Sequence, residues 1–280
     1  MPEVELSTGT VEYQDTGGTG PVLVLVHGVL MNGTLWRDVV RELRTDHRCV
    51  VPTLPLGGHR LATRPGAELT LTSVARLLGE LLAVLDLRAV TLVGNDTGGA
   101  LAQILVAENP DRIGRLVLAS CEAFDNFPPG LPGRVSVLAA RVPGGLWFAA
   151  QQLRLAPLRR LPVTFGWMAK RPIPDEILTD WIRGMRGDPA IRRDFRRFVR
   201  GGEPRRELRE ATGKLPAFGG PALVVWAAED KVMPPGHGRR LAELLPAGRL
   251  VEIPDSYTLL PLDQPERLAS ELRCFVSARP

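Results

Sequence analysis

The chain has 280 residues, 44% of them hydrophobic, and a net charge of +4 at pH 7. That length and apolar share allow a sizeable core in one large domain, or in one domain with an insertion. No apolar run approaches a membrane span, and the acidic start Met1-Pro2-Glu3-Val4-Glu5 lacks a signal-peptide core, so a cytoplasmic location without a membrane partner is expected.

Val4–Asp15 alternates and predicts an opening hairpin strand that ends at Thr16-Gly17-Gly18. Val22–Val26 is a continuous apolar run, the pattern of a strand buried on both faces, and it leads straight into His27-Gly28-Val29-Leu30. A helix over Trp36–Leu43 and a buried strand over Cys49–Val51 follow, the latter ending in a loop that carries Gly57-Gly58-His59. Val74, Leu77, Leu78, Leu81, Leu82 and Leu85 mark an amphipathic helix starting near Thr72 or Ser73. Val90–Val93 is a strand, Leu101–Glu108 a helix, and Arg115–Ala119 the next strand, ending at Ser120-Cys121-Glu122.

Strand patterns then vanish. From residue 127 to 212 prolines divide short helical stretches, so the chain divides into a core of residues 1–126 and 213–280 and a helical insertion of residues 127–212. Within it, Ile191, Phe195, Phe198 and Val199 recur at helical spacing and put the neighbouring arginines on the opposite face. A solvated face is the simpler reading of those arginines than a nucleic-acid site, with steering of an anionic substrate as an alternative. Strands return at Ala222–Trp226 and Arg249–Ile253, with helices over Gly238–Leu245 and Pro265–Val276. Alternation of this kind predicts a mostly parallel sheet with helices on both faces and a site at the carboxyl ends of its strands. The three cysteines, Cys49, Cys121 and Cys274, have no metal spacing, and the first two are expected as packed thiols.

Between the strand Val90–Val93 and its helix lies Gly94-Asn95-Asp96-Thr97-Gly98. One reactive side chain flanked by glycines at a strand-to-helix turn is the spacing of a nucleophile elbow. The helix N-terminus directs free N–H groups at the same spot. Together with Leu25-Val26-His27-Gly28, Asp230 after a late strand, and Ile253-Pro254-Asp255-Ser256, the elbow makes the sequence resemble the α/β-hydrolase superfamily over almost its whole length. The resemblance implies an α/β-hydrolase fold, makes residues 127–212 a helical cap over the pocket, and, with Asp at the elbow, is similar to haloalkane dehalogenases and epoxide hydrolases. It implies Asp96 as nucleophile, the N–H groups of Val29 and Thr97 as oxyanion donors, and Asp230 as the acid that orients a histidine. Glu122 occupies the place where some dehalogenases keep that acid. His27 reads as a structural residue of its turn.

The sequence departs from the family at three points. Thr258 stands where the catalytic histidine should be, and a hydroxyl has no useful basicity near pH 7. Thr97 and Val29 occupy the positions of the halide-binding Trp and Asn. Neither tyrosine, Tyr13 or Tyr257, falls in the cap to protonate an epoxide oxygen, and Leu30 replaces the usual proline after His-Gly. Of the four histidines, His47 reads as a surface residue and His237 as solvated. His59, on the active side of the sheet, is expected to border the pocket and is a candidate substitute base. The expected partner is a small, mostly apolar organic molecule; no cofactor, metal or nucleic acid is implied, and oligomeric state is open. Three functions follow: a hydrolase with Asp96 as nucleophile and an atypical triad, a cofactor-free lyase, isomerase or cyclase with Asp96 as general acid or base, and a ligand binder without catalysis. The first is preferred on family grounds.

Overall fold

The computed structural model describes residues 1–278. Its strands are β1 (Glu3–Leu6), β2 (Gly9–Asp15), β3 (Val22–Val26), β4 (Arg48–Pro52), β5 (Val90–Asp96), β6 (Ile113–Cys121), β7 (Ala222–Ala227) and β8 (Gly248–Ile253). They form one sheet in the order β1-β2-β4-β3-β5-β6-β7-β8. The first two pairings, β1 with β2 and β2 with β4, are antiparallel, and all the others are parallel. The expected opening strand is thus two strands of a hairpin. In β5 and β7 every residue is buried, as sheet positions covered by helices on both sides require.

The helices are α1 (Arg37–Leu43), α2 (Leu71–Val84), α3 (Thr97–Glu108), α4 (Gly130–Arg141), α5 (Gly145–Gln152), α6 (Ala156–Arg159), α7 (Asp175–Gly187), α8 (Pro189–Arg200), α9 (Pro204–Lys214), α10 (Pro235–Leu244), α11 (Leu260–Asp263) and α12 (Pro265–Ser277). α2 begins a residue or two before the expected start because Thr70 caps it. The Thr70 hydroxyl accepts the Ser73 N–H at 3.0 Å while Ser73 Oγ accepts the Thr70 N–H at 2.7 Å. Its leucines, Leu77, Leu78, Leu81 and Leu82, are all buried, each contributing about 1.5–3 kcal/mol as an upper estimate.

No strand occurs among the described residues between β6 and β7, as the proline-broken pattern implied. Helices α4 to α8 form the roof, whereas α9 packs on α2 and α3 with Leu208, Ala211 and Thr212 buried. Its Thr212 hydroxyl donates to Gln103 Oε1 on α3 at 2.7 Å. Helical periodicity marks the covered face of α9 without naming the helices that cover it. His47 is also corrected: it is 6% exposed, with Nδ1 3.2 Å from Asp46. His237 is half-buried, edge-on to the Phe124 ring at 5.2 Å between centroids.

Candidate active site

The turn from β5 into α3 holds Asp96 at φ 54°, ψ −132°, a conformation that costs a non-glycine residue of order 1–3 kcal/mol. Glycine makes the turn possible. A Cβ on Gly98 would lie 2.2 Å from the Val26 carbonyl oxygen, and one on Gly28 would lie 1.9 Å from Asp96 Oδ2. The Asp96 carboxyl therefore fills the space that a side chain at position 28 would take. His27 braces this turn from below: its Nε2 accepts the Leu54 N–H at 3.0 Å, so the proton sits on Nδ1, 2.8 Å from the Gly28 carbonyl. Burial holds its pKa down to about 4, and it is neutral and structural, as read.

Asp96 is fully buried, and neither carboxyl oxygen has a hydrogen-bond partner of normal geometry. The N–H groups of Thr97 and Val29 still lie close enough to draw its pKa back, against a larger upward push from burial and a further one from Asp230, leaving it at about 7. Asp230 and Thr258 are brought together: the Thr258 hydroxyl donates to Asp230 Oδ1 at 2.8 Å, and the N–H groups of Val232 and Met233 donate to the same oxygen. Asp230 Oδ2 is buried and unpaired, and burial raises this carboxyl to about 6. Glu122 is turned to a different partner, accepting the Thr97 hydroxyl on Oε1 at 2.7 Å; burial, with repulsion from Asp96, raises its pKa far above the usual range. Among the described residues no lysine, arginine or histidine pairs with any of these three carboxyls. In a low-dielectric setting such a group can keep few negative charges at once, so the cluster holds protons at neutral pH.

Asn95, beside Asp96, was not singled out by the sequence. Its two Nδ2 N–H bonds are shared among the carbonyls of Ala119 (2.8 Å), Ser120 (3.2 Å) and Thr258 (2.8 Å), tying β5, β6 and the last loop together.

Asp96 opens into a cavity of about 250 Å³ between the sheet and the roof. Val29 and Leu30 line its floor, and α4, α5 and α7 supply its apolar walls, including Val135, Leu146, Trp181 and Met185. Among the described lining residues Asp96 carries the only charge, and no tyrosine is present. The Trp181 indole N–H is committed to Thr34 Oγ1 at 2.9 Å. Tyr257 lies elsewhere, its ring beneath the Lys231 ammonium at 4.4 Å.

His59 does not border this cavity, contrary to expectation. Its Nδ1 accepts the Gly57 N–H at 3.2 Å and its Nε2 faces Asp194 Oδ2 of α8 at 3.5 Å. Asp194 in turn accepts the Thr63 N–H at 2.7 Å and an Arg193 N–H at 3.0 Å. The loop leaves the active side of the sheet as read, but a buried carboxylate on the roof captures the imidazole. On α8 the apolar face is as expected at Ile191, Phe195 and Phe198, with Asp194 as the unforeseen buried charge and Val199 only partly covered.

Residues 23–271 match the family model described as "Alpha/beta hydrolase family". A haloalkane dehalogenase of Mycobacterium tuberculosis, haloalkane dehalogenase 2, is 26% identical over 287 aligned residues, which span 95% of this chain and 91% of that protein. An uncharacterised protein of the same species is 34% identical over 103 residues, but the match spans only 37% of this chain and 30% of that protein's length. Among solved structures, a thermophilic esterase from Thermogutta terrifontis superimposes with a TM-score of 0.76 at 27% identity, covering 99% of this chain and 98% of the esterase. The sheet order, the elbow and this superposition make the fold an α/β-hydrolase fold.

Proposed function

The chain belongs to the alpha/beta hydrolase family, and from that premise we propose that it acts on a small, mostly apolar organic molecule with Asp96 as general acid and base. The setting of Asp96 carries this reading: a lone charge on an apolar cavity wall, a pKa near 7, and no imidazole or ammonium beside it. A carboxyl that titrates near neutrality keeps both protonation states populated, where proton transfer is most effective. Asp96 takes a proton from a carbon or oxygen of the substrate and returns it at another position, which yields isomerisation, elimination or ring closure without a cofactor. Hydrolysis through an ester would ask for two further groups, a donor for the departing atom and a base for water. The cavity-lining Trp181 N–H is already committed, and the Thr258 hydroxyl is not a base.

A flat carbon acid, 5-nitrobenzisoxazole, tests the proposal because any positioned base opens it. The wild type is expected to open it with a rate that rises through pH 7 and then levels, and Asp96→Asn to lose about a hundredfold or more. Equal rates in the two proteins would remove Asp96 from the role.

A second reading rests on the elbow itself and on the dehalogenase and esterase relatives: Asp96 as the nucleophile of a hydrolase. Its carboxylate would form a C–O bond to substrate carbon as the leaving group departs with its electron pair. With Thr258 beside Asp230, the resulting ester lacks a base to activate water. A small alkyl bromide or epoxide should then leave a stable adduct on Asp96 in the wild type, seen by intact mass and peptide mapping. Thr258→His should make that adduct transient. An unlabelled protein rejects this reading and leaves the first untouched.

A further inference from the structure

We infer that the outer face of the α4–α6 roof is a docking surface for an anionic lipid bilayer, and that apolar substrate passes from the bilayer into the cavity beneath. The inference does not depend on which chemistry Asp96 performs. Seven of the nine large hydrophobic side chains that the described residues expose fall between residues 131 and 161. Leu138 is 61% exposed, Phe148 59%, Leu155 59% and Trp147 46%. An apolar face of this kind on one small helical unit marks a surface that meets something other than water.

Charge says what it meets. From Asn126 through Pro174 the chain contains no aspartate or glutamate, and it carries arginine or lysine at seven positions. Arg134, Arg141 and Arg154 are exposed and make no ion pair among the described residues. The arginine face of α8 continues the basic border, since Arg200 Nη2 donates to the Arg141 carbonyl at 3.4 Å. There Arg196, Arg197 and Arg200 edge an open groove. Exposed Trp, Phe and Leu bordered by unpaired arginines is the composition that settles at the headgroup level of anionic membranes. A second copy of the chain fits less well. A two-fold contact would set these arginines against their own symmetry mates, with no acidic residue in the patch to pair them.

The same helices line the cavity from inside. Leu161 is 41% exposed and also lines the cavity, and Gln152 is likewise both exposed and lining. The cavity thus reaches the face that would lie on the bilayer. No helix among the described residues is long and apolar enough to cross a membrane, and attachment of this type needs none.

Co-sedimentation with vesicles of phosphatidylcholine alone, and of phosphatidylcholine mixed with phosphatidylglycerol, tests the inference on the full chain. The wild type is expected to sediment with the mixed vesicles only, with a blue shift in tryptophan emission and weaker binding as salt is added. Two double variants at exposed positions, Trp147→Ser with Phe148→Ser and Arg134→Glu with Arg141→Glu, should each weaken binding about tenfold or more while leaving the melting temperature unchanged. No binding to either vesicle, or equal binding by wild type and both variants, would overturn it. So would a wild-type dimer that Trp147→Ser with Phe148→Ser converts to monomer, because a second copy would then cover the face.

Discussion

The β5–α3 joint and the α4–α6 roof use similar apolar residues to opposite ends. Every residue of β5 is buried, and so is α3 from Thr97 to Val106. In α4 only three residues are buried, in α5 two, and in α6 none. At the joint, backbone meets backbone with glycines as spacers, and one side chain is forced upright. In the roof, side chains are divided between a cavity below and the surroundings above. Tolerance divides accordingly: the joint fixes one side chain and accepts almost no added atom, whereas the roof leaves large side chains uncovered and accepts many.

The largest effect comes from adding atoms at the joint. Gly98→Val would place carbon against the carbonyl oxygens of Val26 and His27 at once, and both are backbone. No native protein is expected, which circular dichroism and urea titration would report; a folded, stable variant would show that the joint yields more than its geometry implies.

The next effect separates proton from packing. Asp96 has an ordinary pKa of 3.8 and stands at about 7 when folded, so its contribution to stability is complete below 3.8 and disappears as pH rises through 7. Asp96→Asn lacks that loss. Between pH 4 and pH 8 the wild type should therefore lose up to roughly 4 kcal/mol relative to the variant. His27 titrates in both proteins and largely cancels in the difference, whereas Glu122 and Asp230 repel Asp96 and are eased by its removal, so the difference reports the carboxyl cluster around Asp96. Urea denaturation across that range gives the comparison directly, and parallel curves would mean that Asp96 is not titrating where burial puts it.

A third test lies between joint and roof. His59→Ala strips Asp194 of a neighbour in a buried place, and a loss of about 1–3 kcal/mol is expected. Opening of 5-nitrobenzisoxazole should be unchanged, because the imidazole is not in the cavity. A hundredfold drop in that rate with normal stability would return His59 to the role of base.

At the far end, Leu138→Ser on the roof should change stability by no more than about 0.5 kcal/mol, since the side chain already faces outward. A melting temperature lowered by several degrees would show that the roof leans on this residue.

What the sequence made legible follows the same division. The elbow could be read because its turn demands glycines at fixed spacing, and the parallel strands because burial on both faces leaves continuous runs such as Leu223–Val224–Val225. The pairing of Thr258 with Asp230 was within reach through the family pattern. His59 lies on the expected loop but away from the cavity it was expected to border, because Asp194 joins it from a distant helix whose arginines concealed one buried acid. The partners of α9 were not legible for a related reason: an amphipathic face declares that it is covered, and not by what. The walls of the cavity, Trp181 and Met185 among them, are ordinary apolar positions of an amphipathic helix until folding turns them inward.

Asn95 holds residue 258 by its carbonyl oxygen, a main-chain atom that any amino acid supplies. The anchor beside Asp230 is therefore independent of the side chain that position 258 carries. An imidazole in place of the hydroxyl would hang from the same main-chain hook, but the side chain there is fully enclosed, so its extra volume would have to come from the neighbours.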